Sequence, residues 1–155
     1  MGKTKTADAF RWKGEQNSVQ NFLNMCFTTV GLAEGTNDAT VKTANTATYI
    51  VDGIHAAKTA TDNVAIPAGT VIPISSYCKF LVSLDVSGNF TVTQGTYAST
   101  SAGAVLPDCP ASNTPIGYFL IATDATHPYT PGTTDNSAAG ITDTYVDLGC
   151  MPDSL

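Results

Sequence analysis

From Thr40 onward the chain is divided into short β-type runs by turn residues, about every eight to twelve positions, and that rhythm points to a β-sandwich or barrel. The clearest run is Cys78–Asp85. Cys78, Phe80, Val82 and Leu84 alternate with Lys79, Leu81, Ser83 and Asp85, a period of two. Phe90-Thr91-Val92-Thr93 follows the turn Asp85-Val86-Ser87-Gly88-Asn89. A three-residue loop, Val86-Ser87-Gly88, sets Leu84 opposite Phe90 and Val82 opposite Val92, with Gly88 left-handed. A two-residue loop would pair Leu84 with Thr91 and turn one apolar row outward, so register selects the longer loop. An earlier hairpin is set by Asp52-Gly53, a pair suited to a type I′ turn. It places Val51 opposite Ile54, Tyr49 opposite Ala56 and Ile50 opposite His55.

Ile116–Ala122 is the most apolar remaining run and is expected to be a buried strand, and Thr142–Leu148 a closing strand. Residues 98–113 and 126–140 are rich in Gly, Pro and small polar residues and read as surface loops. Gln16–Val30 is the one helix candidate. Val19, Phe22, Leu23, Cys26, Phe27 and Val30 recur at spacings of three and four, Asn17 or Ser18 can cap the start, and Gly31 can end it. Against this, Phe27-Thr28-Thr29-Val30 is strand-like and would shorten the helix. The expected architecture is mainly β: a single β-sandwich or barrel over residues 37–155, preceded by an N-terminal arm and short helix over 1–36.

Charged residues make up only 13% of the chain, against roughly a quarter in ordinary domains. Thr, at 24 positions, takes over much of the polar surface and favours strands. Four of the seven basic residues, Lys3, Lys5, Arg11 and Lys13, precede residue 14, and none follows Lys79. A net charge of −6 argues against nucleic-acid binding by the body. The basic arm is either a solvated terminus or a docking element. For docking, Lys3, Lys5, Phe10, Arg11, Trp12 and Lys13 are the candidate partner-binding residues, with Trp12 as an anchor into a neighbouring subunit.

Catalytic constellations are missing from the sequence. No GxSxG, HExxH or EF-hand spacing occurs. His55 reads as a strand residue, and His127 lies before Pro128 in a loop. Asp52, Asp85, Asp108 and Asp135 stand at or near turn residues, where Asp commonly bonds backbone amides. Asp124 with Thr133–Asn136 suits turn chemistry better than calcium. Cys26, Cys78, Cys109 and Cys150 are 52, 31 and 41 residues apart, which excludes a zinc-finger spacing. Without a signal-peptide layout or an apolar run long enough for a membrane span, the expectation is synthesis in a reducing cytoplasm with free thiols, two later disulfides remaining open. The tyrosines and the loops 98–113 and 124–140 could alternatively make a recognition tip for glycans.

Residues 46–148 resemble a family of small structural proteins of tailed-bacteriophage virions or prophages. The resemblance rests on the order of Thr48-Tyr49-Ile50-Val51-Asp52-Gly53 with Ala56-Ala57-Lys58, the hairpin from Tyr77-Cys78 through Leu84-Asp85 to Gly88-Asn89, Gly95-Thr96, Leu106-Pro107, Pro115-Ile116-Gly117-Tyr118 and Pro131-Gly132-Thr133-Thr134-Asp135. It covers about two thirds of the chain. It implies a non-enzymatic virion component, often trimeric, that decorates a head or belongs to a fibre. The expectation is therefore a capsid decoration (cement) protein bound to the major capsid protein lattice, without cofactor, metal, nucleic acid or membrane. A tail- or fibre-associated receptor- or carbohydrate-binding module is the alternative.

Overall fold

A computed structural model describes residues 24–149 of the chain. They form ten strands: β1 (Met25–Cys26), β2 (Leu32–Glu34), β3 (Thr40–Thr43), β4 (Ala47–Val51), β5 (Ile54–Lys58), β6 (Thr61–Ala65), β7 (Tyr77–Asp85), β8 (Phe90–Gln94), β9 (Asn113–Thr123) and β10 (Ile141–Asp147). Three antiparallel sheets result, ordered β1-β4-β5, β2-β3-β6 and β10-β9-β7-β8. The mainly β expectation holds. The sheets do not close into a barrel, because the four-stranded sheet ends on β10 and β8.

Both expected hairpins form in the expected register. Val51 faces Ile54, Ile50 faces His55 and Tyr49 faces Ala56. Asp52 and Gly53 take φ of 49° and 79°, the paired positive values a type I′ turn requires. Leu84 faces Phe90 and Val82 faces Val92. Gly88 has φ of 79°, and its amide donates to the Asp85 carbonyl at 3.1 Å. The Asp85 carboxylate accepts from the Ser87 and Asn89 amides at 2.8 and 2.9 Å, which lowers its pKa, the Asn89 bond contributing most.

The core is built where β7 and β9 pair in the middle of the large sheet. Phe80 and Phe119 are directly opposite, and their rings stack at 4.8 Å with a 2° interplanar angle. Tyr129 meets Phe80 edge-on at 6.3 Å. The smaller sheets join this core through Tyr49, Val51, Val41 and Leu32. Two polar bonds fasten β4 across to the large sheet: Tyr49 Oη donates to the Asp85 carbonyl at 2.9 Å, and Thr114 Oγ1 donates to the Ile50 carbonyl at 2.9 Å. Leu81 and Ser83, on the opposite face of β7, are buried as well. Cys109 lies beside Ser83, so part of the segment read as the surface loop 98–113 covers this second face. Its backbone also bridges, Thr96 to Val105.

The helix expected over Gln16–Val30 is not present in its described part. Residues 16–23 lie outside the described region, and Asn24–Val30 contains β1 and then irregular backbone. Cys26 pairs with Tyr49, and the Phe27 amide donates to the Thr48 carbonyl at 2.8 Å. Thr28 Oγ1 donates to the Thr46 carbonyl and accepts from the Thr48 amide. The physical reason is that a spacing of four, as from Cys26 to Val30, fits a strand period of two as well as a helical turn. The β-branched Thr28-Thr29-Val30 then favours the extended form.

β1 and β2, with the irregular backbone between them, are thus part of the β domain itself. Their attachment at the other end of the chain is a carboxylate clamp. Asp147 accepts from the Gly31 and Leu32 amides through its two oxygens, each at 3.0 Å. Asp147→Ala leaves two amides unpaired in a partly buried place and is expected to cost about 1–3 kcal/mol. Urea denaturation of the full chain measures it, and an unchanged midpoint would show the clamp to be idle.

Candidate docking surface

Ten carboxylates and three lysines lie within residues 24–149, yet residues 63–78 and 86–107 contain no charged residue and no histidine. The fold brings large parts of these two stretches together at the end of the sheet where β7 starts and β8 stops. Gln94, at the end of β8, accepts from the Thr70 amide and donates to the Thr70 carbonyl, at 2.8 and 2.7 Å. Tyr77 and Ala98 exchange backbone bonds, and so do Thr96 and Val105. Ile72 exchanges both of its backbone bonds with Tyr129.

On these adjoining segments stand four of the six exposed large apolar side chains: Val71 (48%), Ile74 (48%), Tyr97 (41%) and Val105 (59%). Within the two stretches the polar residues are neutral, Thr and Ser predominating, and Lys79 adjoins them through its carbonyl, which accepts from the Gly95 amide at 2.8 Å. At the border, the Ser75 amide donates to the carbonyl of Asp124. The Asp124 carboxylate accepts from the Thr126 and His127 amides and touches His127 Nδ1 at 3.0 Å. These bonds, the Thr126 amide foremost, hold its pKa far below the usual carboxylate range. Exposed apolar side chains on adjoining charge-free segments, with a carboxylate at their border, suit the centre and rim of an interface.

Beneath the surface, Tyr129 anchors the segment. It is fully buried and its hydroxyl donates to Asn136 Oδ1 at 2.6 Å. Burial pushes its pKa well up, with Asp143 and Asp135 adding to the effect. Asn136, also fully buried, donates from Nδ2 to the Thr40 carbonyl and from its backbone to the Asp38 carbonyl, each at 2.9 Å. Gly132 packs its backbone against the Ile66 carbonyl, which its φ of 71° and missing side chain allow.

The residues singled out from sequence fall as follows. Lys3, Lys5, Phe10, Arg11, Trp12 and Lys13 lie outside the described residues. His55 stands exposed on β5 opposite Ile50. Asp135 accepts from the Ser137 amide and hydroxyl at 2.8 and 3.0 Å, which is turn chemistry. Among the described residues, no group of three or more His, Cys, Asp or Glu is placed to hold a metal. Of the tyrosines considered for a recognition tip, Tyr129 and Tyr49 are interior, and Tyr97 is the tyrosine among the exposed large apolar residues. The neutral patch was missed in the sequence, although its signal was there as two long gaps between charged residues.

No family model, curated protein or solved structure matches the chain.

Tyr129→Phe leaves the Asn136 carbonyl oxygen without its buried donor and is expected to cost about 1–3 kcal/mol. Tyr97→Ala, at an exposed site, is expected to change stability by less than about 0.5 kcal/mol. Thermal unfolding of the two variants distinguishes an interior anchor from a surface contact. Equal losses would contradict the assignment.

Proposed function

We propose that this chain is a structural component of a phage virion, a decoration (cement) protein that binds and stabilises the lattice of the major capsid protein. The observation that carries the reading is the neutral, apolar end of an otherwise acidic β domain. A body with ten carboxylates and three lysines in its described part repels similar bodies over most of its surface. At the neutral end, close approach to another subunit brings no like-charge cost and removes Val71, Ile74, Tyr97 and Val105 from water. The resemblance of residues 46–148 to small virion proteins points the same way. Within this reading the three sheets pack as a sandwich, since β4 and the β7–β9 pair send side chains into one core. The protein acts as a homo-oligomer, a trimer by that resemblance. The basic arm, with Lys3, Lys5, Phe10, Arg11, Trp12 and Lys13, adds a second grip on the lattice. Many equivalent weak contacts then sum over the shell.

Occupancy on purified capsids tests this. Val105→Asp and Tyr97→Asp each place a charge in the patch and are expected to weaken binding about tenfold to a hundredfold, at about 1.4 kcal/mol per decade. Val86→Asp, in the β7–β8 turn, is expected to bind as the wild type does. Equal binding by all three would remove the patch from the mechanism. Undiminished binding after deletion of residues 1–14 would remove the arm. The alternative, a receptor- or carbohydrate-binding module of a tail or fibre, is favoured by glycan-array binding that Tyr97→Ala abolishes.

A further inference from the structure

Beside the Asn136 anchor, three carboxyl groups from three parts of the chain converge. Glu34 ends β2, Asp135 belongs to the loop 130–140, and Asp143 lies in β10. Glu34 Oε1 is buried and no donor among the described residues reaches it. Its polar neighbours are Asp135 and Ser137, and Asp143 acts on it electrostatically. Tyr145, on β10, is shaped by the same acids: its buried hydroxyl lacks a partner of ordinary geometry and lies beside Asp143 and Asn136. Tyr129 completes the surroundings through its bond to Asn136. Asn136 donates to the Asp38 and Thr40 carbonyls and Gly35 to the Thr40 carbonyl, which brings Asp135 to the end of β2, and carboxylates brought together there, one with a buried oxygen, cannot all be ionised cheaply. One proton resolves the difficulty. A protonated Glu34 would be able to donate to Asp135, which already accepts from the Ser137 amide and hydroxyl.

We propose that Glu34 and Asp135 form a one-proton latch that holds the loop 130–140 against β2 and, through Asn136 and Tyr129, fixes the segment carrying Val71 and Ile74. The route is continuous. Asp135 adjoins Asn136, Asn136 holds Tyr129, and the Tyr129 backbone holds Ile72. The loop also packs on the same segment directly, with Gly132 against Ile66 and Pro131 near Gly69. The occupant of the face is a virion subunit, and that half of the inference rests on the proposed function. The latch itself does not.

The direction follows from linkage. The folded-state pKa of Glu34 is raised, burial being the largest cause and Asp135 the next, while that of Asp135 is lowered, chiefly by the Ser137 amide. The stabilisation from Glu34 is complete below its unfolded value near 4.5 and is lost as pH rises through the folded value. That from Asp135 is present above 3.8 and is lost as pH falls through its lowered value. Between the two folded values the pair carries one proton and the latch is closed. Rising pH puts a second charge on the pair, beside Asp143, and opens it.

Amide hydrogen exchange on the full chain, corrected for intrinsic rates, tests the latch from pH 4 to 8. The wild type is expected to lose protection at Asn136 and Ile72 as pH rises, by about tenfold for each unit between the folded and unfolded values of Glu34. Glu34→Gln, neutral and able to donate, is expected to keep the protection of the acidic wild type at every pH. Wild-type protection that does not change with pH, or an E34Q profile that still follows it, overturns the latch. Should E34Q fail to fold, the side-chain carboxyl carbon resonance of Glu34 in the wild type decides: titration above the ordinary glutamate range in step with the Asn136 amide supports the latch, and an ordinary titration overturns it. Capsid occupancy over the same pH range separates the two ideas. Binding that weakens as the latch opens supports the link, whereas no capsid binding at any pH overturns the docking reading and leaves the latch standing.

Discussion

The pairing of β7 with β9 is the constraint on which the rest of this structure depends. It runs from Tyr77–Ala122 to Asp85–Asn113 with one register shift after Val82. One face carries Phe80, Val82, Leu84, Phe119 and Ile121 into the core. Each large side chain buried there is worth about 1.5–3 kcal/mol. A slip of one residue would turn that row outward. The smaller sheets and both long loops are arranged around this pair. Tyr49 and Thr114 tie β4 to it, Cys109 lies beside Ser83 behind it, and Tyr129 packs edge-on against Phe80.

With few cations in the body, tertiary closure falls to neutral and singly charged hydrogen bonds. Asp147 clamps the Gly31 and Leu32 amides, Thr123 Oγ1 accepts from the Ser76 amide, Gln94 spans Thr70, and Asn136 joins the loop 130–140 to Asp38 and Thr40. Residues 63–78 and 86–107, which Gln94 helps to join, carry no charge of their own. Exposed apolar side chains on charge-free segments of an acidic protein are then compatible with how the strands are held together, and in the proposed function they form the surface that another subunit covers.

Much of the β architecture was legible in the sequence. The Asp52-Gly53 and Val86-Ser87-Gly88 turns fixed their registers because turn geometry and a one-sided apolar row agree in each hairpin. Ile116–Ala122 and Thr142–Leu148 were found from hydrophobicity and bounding turns. The segment Asn24–Val30 was misread because Cys26 and Val30, four apart, satisfy either period. The inward roles of Tyr129, Asn136 and Cys109 were hidden because loop residues have no periodicity to announce which side faces the core. The proposed docking surface was half visible: the charge-free stretches are plain in the sequence, but only the pairing of Gln94 with Thr70 and of Tyr77 with Ala98 shows that they meet.

The central claim is that the neutral end of the domain is covered when the protein does its work. Hydroxyl-radical footprinting of the full chain, free and bound to purified capsids, reads this directly. The account predicts protection at Val71, Ile74, Tyr97 and Val105 in the bound state, with Val86 as reactive as in the free protein. Unchanged reactivity at those four side chains on fully occupied capsids would contradict it.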